Sequence, residues 1–376
     1  MNSKYLCHAA LVALVAVAAV QGKWLSTEAA AQTPAQAQAR ELPMFEVDAT
    51  WPKVPPQWKL GDVSNINSDA QGNIYLIHRP RTLKDPDFAK AAPPVLVFDP
   101  NGNFLRAWGG DGPGYEWPQR EHGVYIDPKG FVWIGGNSCP TNGLPRLKPV
   151  ADDQLLKFTT DGKFVLQVGH SNQSKGNADM QNFHRPSGAD YYAPTNELFV
   201  SDGYGNHRIA VLDADTGVIK RVWGAFGNKP ADDDHCDIVR VTKWELPGPQ
   251  QFSIVHSVRV AKDGMVYVAD RENRRVQSFT VDGKYVKQLL KADTLFARSV
   301  AFSADADQKF LYVGDGESIA IVDRKSLELI GAIKPPGAIG GGHLIGTDPK
   351  GNIYVAATAG GMQKLTFKGT STAAVR

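Results

Sequence analysis

The chain has 376 residues, 42% of them apolar and 21% charged, with a formal net charge of +2. That is enough to bury a full core, so the composition excludes a disordered protein and points to one large domain or a repeat array. The near-neutral balance gives no electrostatic basis for binding nucleic acid. In chain order, residues 1–31 read as an export signal. Lys4 precedes an apolar run, Leu11 to Val20, that is short for a membrane span, and Ala29 and Ala31 suit a small-residue cleavage rule. An uncleaved anchor is the competing reading. Cys7 lies before the run and does not look like a lipid-attachment site. Cleavage near Ala31 removes Lys4, Lys23 and Glu28 and lowers the net charge by one. The expected product is a periplasmic or secreted monomer with no stable membrane insertion. Residues 32–43 read as a polar, flexible tether, and residues 44–376 as the folded region.

Self-similarity then sets the fold. "HGVYIDPKGFVWIGG" from His122, "HSVRVAKDGMVYVAD" from His256 and "HLIGTDPKGNIYVAA" from His343 align without gaps. Looser copies begin at Ser64, Gly188 and Arg298. Each is strand, tight Asp/Gly turn, strand. A second hairpin follows most copies, as in "VLVFDPNGNFLRAWG" and "VQSFTVDGKYVKQLL". Two hairpins make a four-stranded antiparallel unit, and six units packed radially bury one another's faces. The fold class is therefore all-β, a six-bladed β-propeller. The last copy ends early, and "MFEVDATWP", Met44 to Pro52, is expected to supply its missing outer strand. The blades exceed the roughly 40–45 residues of a simple repeat, with the surplus in loops.

His122, His256 and His343 each lie eight residues before the hairpin glycines Gly130, Gly264 and Gly351. They open the innermost strands of blades two, four and six. Alternate blades of a six-bladed ring stand about 120° apart, so three imidazoles converge on the channel. Three neutral imidazoles with an open fourth position suit a catalytic zinc. The bland alternative is three polar side chains lining a wet channel. The loops between second and third strands return to the same face: "IHRPRTLKDP", "GGNSCPTNGLPRLKPVADD", "SDGYGNHR" and "ADRENRR". The long connections Gly169–Pro186 and Gly224–Gln251 also arrive there. Cys139 and Cys236 lie on two of these rim loops, and an oxidising compartment permits a disulfide between them.

"PSGADYYAPTNELFVSDGYGNHRIAVLD" and "QFSIVHSVRVAKDGMVYVADRENRRVQSF" resemble the NHL-type propeller of the peptidyl-α-hydroxyglycine α-amidating lyases, with "HG", "SDGY" and "HS…ADREN" in order and a later histidine. The resemblance covers essentially the whole region after the signal. It implies zinc ligands at His122, His256 and His343, a catalytic tyrosine at Tyr204, and important arginines at Arg79 and Arg271. The family's structural calcium uses an Asp after the last histidine, where this chain has Leu344, although the backbone carbonyl of Val124 matches another calcium ligand. The family's cysteine after the tyrosine is Gly205 here, so its disulfides are not kept, and the copper domain that supplies substrate is missing.

An α-hydroxyglycine carries hydroxyl and amide nitrogen on one carbon, and loss of the hydroxyl proton lets that carbon become an aldehyde and expel the amide. Zinc supplies Lewis acidity, Tyr204 is the candidate base, and Arg79 and Arg271 position substrate and balance charge. The expected activity is C–N cleavage of a peptidyl-α-hydroxyglycine or similar carbinolamide, with a small-molecule or peptide substrate. The alternatives are a metal-dependent hydrolase of esters or lactones, and a non-catalytic propeller binding a protein or glycan through its loop-rich face. Each residue also has a structural reading: Tyr204 as a rim-packing ring, and Asp270 and Arg271 as blade-to-blade hydrogen-bonding groups. "ADDDHCD", Ala231 to Asp237, reads as a solvated loop, and "GGGH" as a tight turn, since no helix follows it. His78, His170, His184 and His207 have no repeat register and read as structural.

Overall fold

The computed structural model describes residues 40–141, 143–232, 246–291, 295–358 and 361–373. The expected signal and most of the tether, residues 1–39, lie outside them, as does Cys236. Among the described residues no helix is long and apolar enough to cross a membrane.

Six four-stranded antiparallel sheets follow one another as blades. Their innermost strands are Asp62–Ser68, Glu121–Ile126, Gly188–Tyr192, Val255–Val260, Ser299–Phe302 and Leu344–Thr347. Each of these touches the innermost strands of both neighbouring blades, which closes the ring. The hairpin turns follow from their sequence. Asp127 accepts the amides of Lys129 and Phe131 through Oδ1, and Gly130 takes a φ of +84° that favours glycine. Asp69 and Asp348 repeat the arrangement in blades one and six.

The core lies between blades. Tyr75, Val97, Val124 and Val132 pack blade one on blade two, and Phe199, Ile209, Val258 and Val266 pack three on four. Four further clusters fill the other junctions. Middle strands are thus covered on both faces and read as unbroken apolar runs such as Val95–Phe98. That is why period-two alternation marks them poorly.

The last blade is closed as expected by the N-terminal segment, but its strand is Arg40–Asp48, paired antiparallel with Gly361–Ala373. It starts inside the expected tether because the partner strand is long enough to pair Arg40 with Ala373. A register shift lies between Pro43 and Phe45, where proline has no N–H to give the ladder. Trp51, beyond the strand, packs edge-on against Tyr354 at 5.0 Å between ring centroids.

Candidate metal centre and active site

The three register histidines meet. Their candidate ligand nitrogens lie within 4.8 Å of one another, and the ring centroids are 4.8–5.0 Å apart. The local backbone aims two of them. The ladder slips between Glu121 and Gly123 and again between Val255 and Ser257, so His122 and His256 are each the extra residue of a β-bulge. A bulge re-aims a side chain that regular pleating would direct elsewhere. His343 stands just ahead of its strand, and its N–H donates to the Ala356 carbonyl.

Each imidazole is then fixed by the next blade. His122 Nδ1 donates to the Ser187 carbonyl at 2.7 Å, His256 Nδ1 to the Arg298 carbonyl at 2.6 Å, and His343 Nδ1 to the Ser64 carbonyl at 2.8 Å. A carbonyl can only accept, so Nδ1 carries the hydrogen and Nε2 keeps its lone pair. Burial holds all three imidazoles well below their usual pKa. Neighbouring groups add to this by disfavouring a second charge: the other two histidines and Arg79 at His122, Arg271 at His256, and Arg79 at His343. Neutral imidazoles whose ligand nitrogens lie this close together are what a zinc-type cation needs.

The Tyr204 hydroxyl lies 3.1 Å from His122 Nε2 and 3.0 Å from His256 Nε2, and it accepts a hydrogen bond from Arg271 Nη1 at 3.0 Å. The tyrosine is set by its flanking glycines. A Cβ on Gly203 would come within 2.5 Å of the Val255 backbone, and one on Gly205 would strike the His184 ring. Only glycine lets this loop approach both blade four and the His184 segment. Arg271 lies over the tyrosine ring at 5.3 Å and pairs through Nε with Glu272 at 2.9 Å. The neighbouring Asp270 instead binds Arg275 at 2.7 Å, with both side chains fully buried. In "ADREN" the aspartate is therefore structural and the arginine faces the site.

Arg79 lies at the end of a strand in blade one and donates through Nε to the Glu121 carbonyl at 2.7 Å, gripping the backbone just before His122. Burial, then the nearby Arg120, lowers its pKa to about 10. Cys139 is disulfide-bonded. His78 is structural, accepting from the Gly61 amide at 3.1 Å, and Asp232 ties the rim by accepting the Asn177 amide.

The calcium reading does not fit. The Val124 carbonyl accepts from Asn67 Nδ2 at 2.6 Å, and Asn67 Oδ1 in turn accepts from Arg259 at 2.8 Å. An amide hydrogen points at the oxygen a cation would need, a guanidinium lies behind it, and Leu344 offers no carboxylate.

Sequence reasoning missed Arg298, whose carbonyl orients His256 and whose side chain donates to the Gly342 carbonyl at 3.1 Å beside His343. Its signal was present, since it occupies in blade five the register position that histidines hold in blades two, four and six.

No family model matches the chain. Among curated proteins it is 28% identical over 289 residues to peptidyl-glycine alpha-amidating monooxygenase B of Xenopus laevis, covering 73% of this chain and 29% of that protein. It is 25% identical over 313 residues to NHL repeat-containing protein 3 of Mus musculus, covering 82% and 75% respectively. A probable peptidyl-alpha-hydroxyglycine alpha-amidating lyase of Caenorhabditis elegans matches at 27% over 161 residues, 42% of this chain and 36% of that protein. The chain spans under a third of the amidating monooxygenases it matches. The chain is thus a six-bladed β-propeller whose relatives include amidating monooxygenases, a probable amidating lyase and NHL repeat-containing protein 3.

Proposed function

We propose that this is an exported zinc-dependent lyase that cleaves the C–N bond of a peptidyl-α-hydroxyglycine, or a similar carbinolamide, to an amide and glyoxylate. The observation that carries the reading is the meeting of three neutral imidazoles with the Tyr204 hydroxyl, 3.0 Å and 3.1 Å from two of their nitrogens. His122, His256 and His343 would hold the ion, which supplies Lewis acidity toward the substrate hydroxyl. Tyr204 acts here as its phenolate and takes the hydroxyl proton. The C–O bond becomes a carbonyl, the C–N pair leaves on nitrogen, and the same proton returns from Tyr204 to that nitrogen, so atoms and charge balance. Arg271, which donates to the tyrosine oxygen, offsets the negative charge of the phenolate before the proton arrives and after it leaves. Arg79 holds the strand that presents His122 and adds positive charge beside it.

The test is glyoxylate release from N-acetyl-α-hydroxyglycine by the zinc-loaded protein, beside Tyr204→Phe. A proton-transfer residue is worth roughly 10²–10⁴ in rate, so the variant should lose at least a hundredfold while keeping its metal. Turnover of simple esters or lactones without glyoxylate release would favour the hydrolase. The broad match to NHL repeat-containing protein 3 supports a second reading, a binding propeller without catalysis. Failure of both assays with zinc bound would select it.

A further inference from the structure

Three guanidiniums surround the metal centre, and they differ in what they have left to offer. Arg79 spends its Nε on the Glu121 carbonyl and has a longer contact from Nη2 to Asn137 at 3.4 Å. Arg271 spends its Nε on Glu272 and one Nη on Tyr204. Neither keeps a complete Nε–Nη edge, the two-pronged donor that matches a carboxylate. Arg298 does. Among the described residues the one hydrogen bond of its guanidinium is from Nη1 to the Gly342 carbonyl, which leaves Nε and Nη2 unengaged.

Its surroundings hold it there. The guanidinium lies 4.9 Å from the Phe296 ring, and a Cβ on Gly316 would come within 3.0 Å of its central carbon, so that glycine leaves the room it occupies. Gly342, which anchors its far prong, directly precedes His343. Among the described residues the nearest acids are already committed: Glu272 to Arg271, and Asp315 to the Ser318 and Glu317 amides and the Ser318 hydroxyl. A half-buried cation with no carboxylate of its own among the described residues, beside a metal centre, suits one from solution.

Resting on the lyase reading, we propose that Arg298 is the specificity-determining residue of this site: its free Nε–Nη2 edge binds the carboxylate borne by the carbon that undergoes C–N cleavage. Arg271 and Arg79 then serve the tyrosine and the His122 strand. The backbone carbonyl of Arg298 separately orients His256, a role that side-chain substitution leaves in place.

The test uses zinc-loaded protein and two unreactive probes, N-acetylglycine and its methyl ester, titrated calorimetrically into wild type, Arg298→Gln and Arg298→Lys. Metal content and melting temperature report that each variant is folded. A hydrogen-bonded charge pair predicts that wild type binds the acid about tenfold to a hundredfold more tightly than the ester. Arg298→Gln should bring acid and ester within about threefold, and Arg298→Lys should keep part of the preference. An acid preference that survives in Arg298→Gln, or that wild type lacks, overturns the proposal. Glyoxylate release from N-acetyl-α-hydroxyglycine is measured in parallel. If it is absent while the acid preference depends on Arg298, the lyase reading fails and the anion site stands.

Discussion

Substituting His256 by alanine removes one of three nitrogens that lie within 4.8 Å of one another, and the consequence can be sized. A ligand present at a hundred times its dissociation constant stabilises the folded chain by about 2.7 kcal/mol. Unfolding entropy of about 2.1 cal/mol/K per residue, over roughly 330 residues, gives about 0.7 kcal/mol/K, so zinc should raise the melting temperature by about 4 °C. The variant also loses the donor to the Arg298 carbonyl, which lowers its stability with or without metal. The informative quantity is therefore the shift each protein shows on adding zinc. Wild type should carry about one zinc per chain by elemental analysis and show the shift, and His256→Ala should carry almost none and move by less than about 1 °C. A wild type that neither takes up zinc nor responds to it would refute the centre, and so would a variant whose response equals wild type's.

Acid should release the metal late. Three exposed histidines at the ordinary pKa of 6.5 would cost about a thousandfold in affinity one unit below that value. Here burial lowers all three, so zinc affinity at pH 5.5 should stay within about tenfold of its value at pH 8. A thousandfold drop, read with a competing chelator, would contradict the burial argument. Arg275→Leu should cost about 3–5 kcal/mol in urea denaturation by stranding the buried carboxylate of Asp270, and adding Asp270→Asn should recover part of it. Calcium should leave the wild-type melting temperature unchanged, whereas Asn67→Ala, which frees the Val124 carbonyl and Arg259, should lower stability by about 1–3 kcal/mol. A calcium-dependent rise in wild type would reverse that assignment.

The ring and its histidines were legible because hairpin turns impose strict spacing: a glycine eight residues after each histidine fixes the register regardless of the loops between. What spacing cannot report is where a ladder slips. The bulges that turn His122 and His256 into the channel leave no residue signature, since any side chain can be the extra one. The division of labour in "ADREN" was hidden for a related reason. Asp270 and Arg271 are adjacent in sequence, yet the strand ends between them, and one faces the blade interior while the other faces the channel. The tether boundary failed on a pairing partner more than 300 residues away, which no local pattern encodes. Arg298 opens the blade-five copy at the histidine position, but a change of residue type there does not by itself mark a guanidinium facing the channel.

The orienting hydrogen bonds give a physical reason for the even number of blades. Every histidine of an even-numbered blade donates to a backbone carbonyl of the next, odd-numbered one: blade two to Ser187, four to Arg298, six to Ser64. Donor and acceptor therefore alternate around the ring, and a ring with an odd count would set two like blades side by side and strand one group. The acceptors are main-chain atoms, so the odd blades remain free to carry serine or arginine side chains at the same position without disturbing the imidazoles. Ser187 uses that freedom to hydrogen-bond the Ser201 hydroxyl and the Val255 carbonyl, the residue just before His256. Arg298 uses it to present a guanidinium beside Gly342. The geometry of the centre is thus set by blade-to-blade packing, because each imidazole is anchored in one blade and oriented by the next.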